Sequence, residues 1–155
     1  MNPLFKKLNY KGQKEIFALN APTSFEKELN EMQDYAAIRK DINKTKEIEF
    51  AIAFVTLQQE IDQLAKTIAP LIKGDAIIWF CYPKTSSKKY KCDFNRDTGW
   101  SVMGKLNMEG VRQVAIDEDW SALRFRKVEY IKKITRSEST ILSKEGKKRT
   151  SGKGL

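Results

Sequence analysis

Two uninterrupted apolar runs, joined by a stretch of helical periodicity, constrain the fold more than any other feature of this sequence. The runs are residues 50–55 and 76–82, and neither alternates with polar positions as a strand with one wet face would. The stretch between them carries an apolar stripe at helical spacing: Leu57, Ile61, Leu64, Ile68, Leu71 and Ile72. Two buried strands joined by an amphipathic helix make a parallel crossover unit, so the sequence predicts a mostly parallel sheet covered on both faces.

The helix of this unit has predicted boundaries at each end. Thr56, with Gln59 three residues later, is typical of a capping box and places the helix start there. Gly74 is predicted to close the helix, and Pro83 to end the strand that follows. The crossover unit is therefore predicted to span residues 50–83.

Upstream of that unit the pattern predicts a second crossover. Residues 16–19 form a first apolar strand, and Thr23 with Glu26 is a second capping-box pattern that begins a helix. A weaker strand is predicted around residues 36–42. The first dozen residues, with Pro at the start of an apolar pattern, are predicted to be a docking segment over residues 1–13.

Downstream the pattern becomes more polar. Residues 84–91 are predicted to be a mobile loop, and residues 98–106 a short helix. Residues 111–116 and 122–128 are predicted strands, joined by a polar turn at 117–120 that is compatible with a hairpin. The C-terminal strands are therefore predicted to pair antiparallel.

These elements predict an α/β fold, a three-layer sandwich with a mostly parallel sheet and an antiparallel C-terminal hairpin. The 155 residues fit one domain, predicted over residues 14–133. Residues 134–155 are rich in Lys, Ser, Thr and Gly and are predicted to be a basic flexible tail.

Charge and composition exclude several classes of protein. The chain has 29 Lys and Arg against 20 Asp and Glu, and it has no histidine, so triads and metal sites that need imidazole are excluded. Two cysteines make no disulfide framework. Because no apolar run is long enough to span a membrane and no secretory signal core is present, we expect no membrane association and a cytoplasmic protein.

The order of elements resembles the Rossmann-like fold of S-adenosylmethionine-dependent methyltransferases with one crossover helix shortened or lost. A closer resemblance is to an uncharacterised bacterial family, a domain of unknown function, at residues 19–22 (LNAP), 79–84 (WFCYPK) and 120–125 (WSALRF). The resemblance covers roughly residues 4–128. It implies the fold, and no chemistry follows from it because that family has no assigned activity.

In open sheets of this kind, ligands bind at the carboxyl ends of the strands, where the strand order reverses. The reversal is predicted between the first and third strands. The candidate ligand-binding residues delivered to this edge are Asn20, Thr23, Thr56, Tyr82, Lys84, Thr85, Asp117, Asp119 and Trp120. Among them, Lys84 follows a buried strand and a proline, so its ammonium could serve as an anion clamp or, if desolvated, as a base. The alternative is a solvated lysine at a strand end.

A nucleotide or methyl-donor site normally has glycines in the turn after the first strand. This sequence has no glycine between Gly12 and Gly74, and Pro22 removes an amide donor from that turn. Asp117, Glu118 and Asp119 could bind a divalent cation or simply solvate a turn. We therefore predict no cofactor, no metal and no catalytic residue.

The predicted function is a binding or regulatory module with a polar site at the carboxyl edge, for a small anionic ligand or a protein partner. One alternative is a divergent methyltransferase-like enzyme. A second is a protein that associates weakly with nucleic acid through its basic loop and tail. The residues for that alternative are Lys88, Lys89, Lys91, Lys147, Lys148 and Arg149.

Overall fold

The computed structural model describes residues 1–94 and 98–131, in which six strands form one sheet. The elements in chain order are α1 (Pro3–Lys7), β1 (Glu15–Leu19), α2 (Glu26–Met32), β2 (Ala37–Arg39), β3 (Ile48–Phe54), α3 (Gln58–Ile68), β4 (Ile72–Pro83), α4 (Ser101–Lys105), β5 (Met108–Ala115) and β6 (Trp120–Lys127).

The strand order is β2-β1-β3-β4-β6-β5. The first four strands in this order are parallel, and β6 pairs antiparallel with both β4 and β5. The mostly parallel sheet and its antiparallel C-terminal hairpin are therefore confirmed. The chain passes from β1 outward to β2 and then returns across β1 to β3, so the predicted reversal of strand order between β1 and β3 is also confirmed.

The central strands β1, β3 and β4 are buried on both faces of the sheet, which explains the uninterrupted apolar runs. On what we call the first face, Phe50, Ile52 and Trp79 pack beneath α1 and α2. On the second face, Ala51 and Phe80 belong to the core that includes α3 and α4. Successive residues of β3 and β4 thus alternate between two apolar cores rather than between a core and water.

Helix α1 is fixed to the first face by a cap and a long-range hydrogen bond. The Asn2 side-chain oxygen accepts a 3.0 Å hydrogen bond from the Phe5 amide, and Pro3 occupies the first turn, where no amide donor is needed. At its other end, the Trp79 indole nitrogen donates to the Leu8 carbonyl at 2.9 Å. The predicted N-terminal helix is present, and Phe5 and Leu8 are fully buried.

The capping box predicted at Thr23 and Glu26 is wrong. A 3₁₀ turn occupies Thr23–Phe25, α2 begins only at Glu26, and no side chain caps either start. Thr23 already lies inside the turn, so its hydroxyl has no free helical amide to cap. The Glu26 carboxylate instead binds Lys40 at 2.5 Å.

The predicted ends of the crossover helix also differ. Glu60, not Gln59, reaches back to the helix start, and its Oε1 accepts from the amides of Thr56 and Leu57, each at 2.9 Å. Gly74 does not close the helix. Because Pro70 interrupts the helical hydrogen bonds, α3 ends at Ile68, a 3₁₀ turn follows, and Gly74 lies within β4 at φ 56°.

The remaining helices and strands predicted within the described residues are present with different bounds, and the predicted tail over residues 134–155 lies outside the described residues. The strand predicted around residues 36–42 is present but is only three residues long, Ala37–Arg39. Strands β5 and β6 begin three and two residues earlier than predicted. No helix in residues 1–94 and 98–131 combines the length and apolar character needed to cross a bilayer.

Candidate functional site

The carboxyl ends of β1, β3 and β4 share one edge of the sheet with the turn between β5 and β6. Pro83, the last residue of β4, lies in register with Trp120, the first residue of β6. Because these two strands are antiparallel, the β5–β6 turn stands beside the chain that leaves β4. The candidate segments predicted from the sequence therefore do reach a common edge.

The loop after β4 is fastened to that turn. The Lys84 amide donates to the Asp119 carbonyl at 2.8 Å, and the Ser87 hydroxyl donates to Asp119 Oδ1 at 2.7 Å. Ser87 Oγ also accepts from the Tyr90 amide at 3.0 Å. The segment lacks regular secondary structure, as predicted, but buried Ser87 anchors its middle to the sheet.

The turn itself uses its acidic side chains to hold its own backbone. Asp117 Oδ1 accepts from the amides of Asp119 and Trp120, both at 2.8 Å. The Trp120 ring lies 4.9 Å from that of Tyr90 and 5.1 Å from that of Phe54, centroid to centroid. Asp117 and Trp120 therefore serve the structure of the turn. The Trp120 indole N–H is buried and has no hydrogen-bond partner among the described residues.

An open cleft of about 980 Å³ lies between this loop and the hairpin, on the second face of the sheet. Its lining residues come from the end of β4, the loop that follows, and the hairpin: Tyr82, Pro83, Lys84, Thr85, Ser86, Ser87, Tyr90, Lys91, Cys92, Phe94, Gln113, Ala115 and Ser121. A cleft of this volume suits a small molecule.

The floor of the cleft is polar and held in place. Gln113 Nε2 donates to Tyr82 Oη at 3.0 Å and to Ser121 Oγ at 2.9 Å. Ser121 is only 5% exposed and uses its oxygen as an acceptor in that bond, so its own O–H can still donate. Cross-strand neighbours on the hairpin thus position a hydroxyl donor at the bottom of the cleft.

Part of the lining of the cleft is aromatic. The ring of Phe94 lies 6.2 Å from that of Tyr82, and the Trp100 ring packs behind both, 5.5 Å from Phe94 and 5.7 Å from Tyr82. The two Trp100 contacts are edge-to-face, a favoured geometry for aromatic pairs, and the Tyr82–Phe94 pair is tilted. The cleft therefore combines a packed aromatic side with the cationic side chains of Lys84 and Lys91.

The candidate residues do not all meet in one place. Tyr82, Lys84 and Thr85 line the cleft. Asp119 stands behind it as the anchor of Ser87, with Asp117 and Trp120 in the same turn. Asn20, Thr23 and Thr56 follow neighbouring strands on the same edge and do not line the cleft.

The basic residues of the nucleic-acid alternative are also divided. Lys88 and Lys89 are exposed, and Lys89 Nζ lies 5.5 Å from the centroid of the Tyr90 ring. Lys91 lines the cleft. Lys147, Lys148 and Arg149 lie outside the described residues.

Sequence reasoning missed Gln113 and Ser121. Both belong to strands of the hairpin and stand on the face of Leu123 and Phe125, since Gln113 is in register with Leu123. The alternation of side chains along the two strands predicts which face of the hairpin Gln113 and Ser121 occupy. It does not predict that this face lies beside the end of β4, so it could not assign the two residues to the cleft.

The turn after β1, where a methyl donor or nucleotide would be expected in this topology, has a different character. Asn20 adopts a left-handed conformation at φ 57° without being glycine, and Pro22 follows. Behind the turn, the rings of Phe25 and Phe54 pack 4.9 Å apart. Bulky side chains thus stand where a backbone approach to a ligand would need space.

The described residues contain no cluster of three or more metal-ligating His, Cys, Asp or Glu side chains. Cys81 is fully buried in β4, and burial, with a smaller contribution from Asp117, raises the pKa of its thiol well above the ordinary value. Cys81 therefore stays protonated and is a core residue, as predicted.

Several solved structures that are similar to this chain are named as methyltransferases. N-methyltransferase NodS from Bradyrhizobium japonicum WM9 superposes with a TM-score of 0.51 at 12% identity, covering 80% of this chain and 91% of its own. A type 11 methyltransferase candidate from Sulfolobus solfataricus gives a TM-score of 0.50 at 8% identity, covering 87% and 96%. A candidate tRNA (m1A22) methyltransferase from Streptococcus pneumoniae gives 0.50 at 6%, covering 98% and 80%.

These likenesses confirm the predicted architecture, a Rossmann-like α/β fold with a mostly parallel sheet. At such low identity they show the fold alone. No protein-family model matches the chain, and no curated protein matches it in sequence. The resemblance to an uncharacterised bacterial family therefore stays a prediction.

Proposed function

We propose that this chain is a ligand-binding or regulatory module whose site is the cleft between the loop after β4 and the hairpin, and that its ligand is a small anion with an apolar body. The observation that carries this proposal is the charge of the lining. Lys84 and Lys91 line the cleft, and none of its described lining residues is acidic.

The two lysines favour an anion for a further reason. Lys84 is half-buried and forms no hydrogen bond or ion pair through its ammonium with the described residues, so its charge is available to a ligand. An ion pair between an exposed lysine and a carboxylate contributes little free energy. The same pair contributes more at the rim of a cleft, because the ligand displaces the water that screens the charges. The Ser121 hydroxyl supplies a donor at the floor.

The aromatic wall supports a ligand with a ring or other apolar part. Phe94 and Tyr90 line the same cleft as the lysines. A flat apolar group would pack against the half-buried Tyr90 ring and the small exposed part of Phe94, which is 8% exposed. An anion without an apolar group would leave the aromatic lining of the cleft in contact with water. We therefore expect aromatic carboxylates to bind better than acetate of equal charge.

The methyltransferase alternative rests on the fold. It requires the methyl donor at the turn after β1, where Asn20 and Pro22 replace the usual glycines. That alternative predicts that S-adenosylmethionine and S-adenosylhomocysteine stabilise the chain, whereas the cleft proposal predicts no preference for either compound.

The test is a thermal-shift screen of the full chain with phenylacetate, benzoate, acetate, S-adenosylmethionine and S-adenosylhomocysteine. We expect a saturable rise in Tm with phenylacetate or benzoate and a smaller one with acetate. The Lys84→Ala, Lys91→Ala double variant should lose the rise, and the Lys88→Ala, Lys89→Ala double variant is the matched control. Equal responses of the two double variants would contradict the site.

A further inference from the structure

A row of arginines crosses the first face of the sheet, on the side opposite the cleft. Arg124 and Arg126 alternate with Leu123 and Phe125 along β6, and Arg112 of β5 lies in direct register with Arg124. On the other side of Arg124, in register on β4, lies fully buried Trp79. Across the sheet, Arg124 therefore lies between the apolar Trp79 ring on one side and Arg112 on the edge strand β5 on the other.

One of the three arginines has a carboxylate partner. Arg126 binds Asp75 through two hydrogen bonds, Nε to Oδ1 at 2.9 Å and Nη2 to Oδ2 at 2.6 Å. Both oxygens of Asp75 are thus engaged by one guanidinium. Glu109, the nearest acid of β5 in this register, lies opposite Arg126 and not opposite Arg124.

Arg124 and Arg112 lie opposite one another on neighbouring strands, and neither has a carboxylate partner within residues 1–94 and 98–131. Arg124 is half-buried, and its Nε is buried with no hydrogen-bond partner in the part of the chain that the structure describes. Burial lowers the pKa of Arg124 most, Arg126 and Arg112 lower it further, and Asp75 acts in the opposite direction and raises it. Like charges directly opposite on neighbouring strands destabilise a sheet, and an unpaired buried donor adds to the cost.

We propose that Arg124 and Arg112 form a binding site for a phosphate-type oxyanion, separate from the cleft. A tetrahedral oxyanion can accept from the Nε and Nη donors of one planar guanidinium while a third oxygen faces the second arginine. Binding would relieve the repulsion between the two cations, and a turn of the Arg124 side chain toward the anion would bring its buried Nε donor into contact with an oxygen of the anion. Both costs in the free protein thus become favourable terms in the complex.

The test measures the Tm of the full chain in inorganic phosphate and in sodium chloride of matched ionic strength, because salt alone screens the repulsion. For a site of about 1 mM affinity, 20 mM phosphate should raise Tm by about 4 to 7 °C over the chloride control. Arg112→Gln and Arg124→Gln should abolish that difference. The same rise in chloride as in phosphate would overturn the proposal.

Three further variants separate a specific site from general charge effects. Arg39→Gln removes an exposed arginine paired with Glu15 at the other edge of the sheet, and it should keep the phosphate response. Lys84→Ala, which alters the cleft, should also keep it, so this proposal can fail or hold independently of the proposed function. Arg124→Lys retains the positive charge but removes the planar guanidinium with its paired N–H donors. A full phosphate response in that variant would contradict the proposed binding geometry.

The phosphate group could belong to a small ligand or to a nucleic acid backbone. A fluorescent twelve-nucleotide single strand, titrated at several salt concentrations, distinguishes them. Binding that weakens with salt, competes with phosphate and is lost in Arg112→Gln identifies the polymer as the source. A phosphate response without oligonucleotide binding identifies a small phosphorylated ligand, whereas oligonucleotide binding that Arg112→Gln leaves unchanged contradicts a role for this pair.

Discussion

The Ser87 hydroxyl donates a 2.7 Å hydrogen bond to Oδ1 of Asp119, and this bond joins the loop after β4 to the β5–β6 turn. The loop and the turn are 32 residues apart in sequence. Ser87 is 7% exposed, so water does not readily replace its partner. The walls of the cleft are therefore held together by a contact that is buried on one side.

Replacing Ser87 with alanine should lower the free energy of unfolding by about 1 to 2 kcal/mol, because the Asp119 carboxylate loses a hydrogen bond and the Tyr90 amide loses its acceptor. Urea denaturation measures the change. Ser86→Ala is the matched control, since Ser86 is exposed in the same loop. Equal stabilities of the two variants would mean that this bond does not hold the loop.

Lys84→Ala should change stability by no more than about 0.5 kcal/mol, because the Lys84 side chain is half-buried and has no polar partner among the described residues. Its backbone amide, which binds the Asp119 carbonyl, is retained by alanine. Chemical denaturation of the variant checks this directly. A loss of several kcal/mol would assign the lysine a structural role and remove it from the binding site.

Glu60 and Gln59 offer a sharp comparison at the start of α3. Glu60→Ala should cost about 1 to 2 kcal/mol, since its Oε1 accepts from two backbone amides and from the Thr56 hydroxyl. Gln59→Ala should be nearly neutral because Gln59 is exposed. The reverse order in thermal denaturation would restore the capping box predicted from the sequence and contradict the one observed.

Stability should fall as the pH rises above about 9, in part because of Cys81. Its pKa is raised in the folded state, mainly by burial, above the ordinary value of 9.0. The unfolded chain therefore loses the thiol proton first, and the stability present below that pH declines as the pH rises toward the folded pKa.

Cys81→Ala tests this assignment through the slope of stability against pH. The slope between pH 9 and 10 should be shallower in Cys81→Ala by up to about 1.4 kcal/mol per pH unit, the contribution of one proton. Cys92→Ala, which alters the half-buried thiol in the cleft, is the control. An unchanged slope in the Cys81 variant would show that its thiol does not govern this range.

The sequence predicted the sheet well because the two central strands are buried on both faces. Phe50 and Phe54 on one side and Ala51 and Ala53 on the other leave no polar alternation, which only a sandwiched strand tolerates. Helix ends were harder, because several side chains could cap α3. Only the observed backbone path shows that Glu60, rather than Gln59, faces the free amides.

The site was predicted only in part for a related reason. Tyr82 and Lys84 follow directly from the end of a strand, so their place at the carboxyl edge could be predicted. Gln113 and Ser121 reach the cleft through the register of the hairpin against β4, a long-range relation that no local pattern encodes. The same register places Arg112 opposite Arg124.

The central claim is that ligand binds in the cleft and not at the turn after β1. Mapping of amide chemical shifts during titration with phenylacetate tests it most directly. We expect saturable shifts at Thr85, Ser86, Gln113 and Ser121, with little change at Asn20. Shifts concentrated at residues 20–24, or no saturable shift at the cleft, would contradict it.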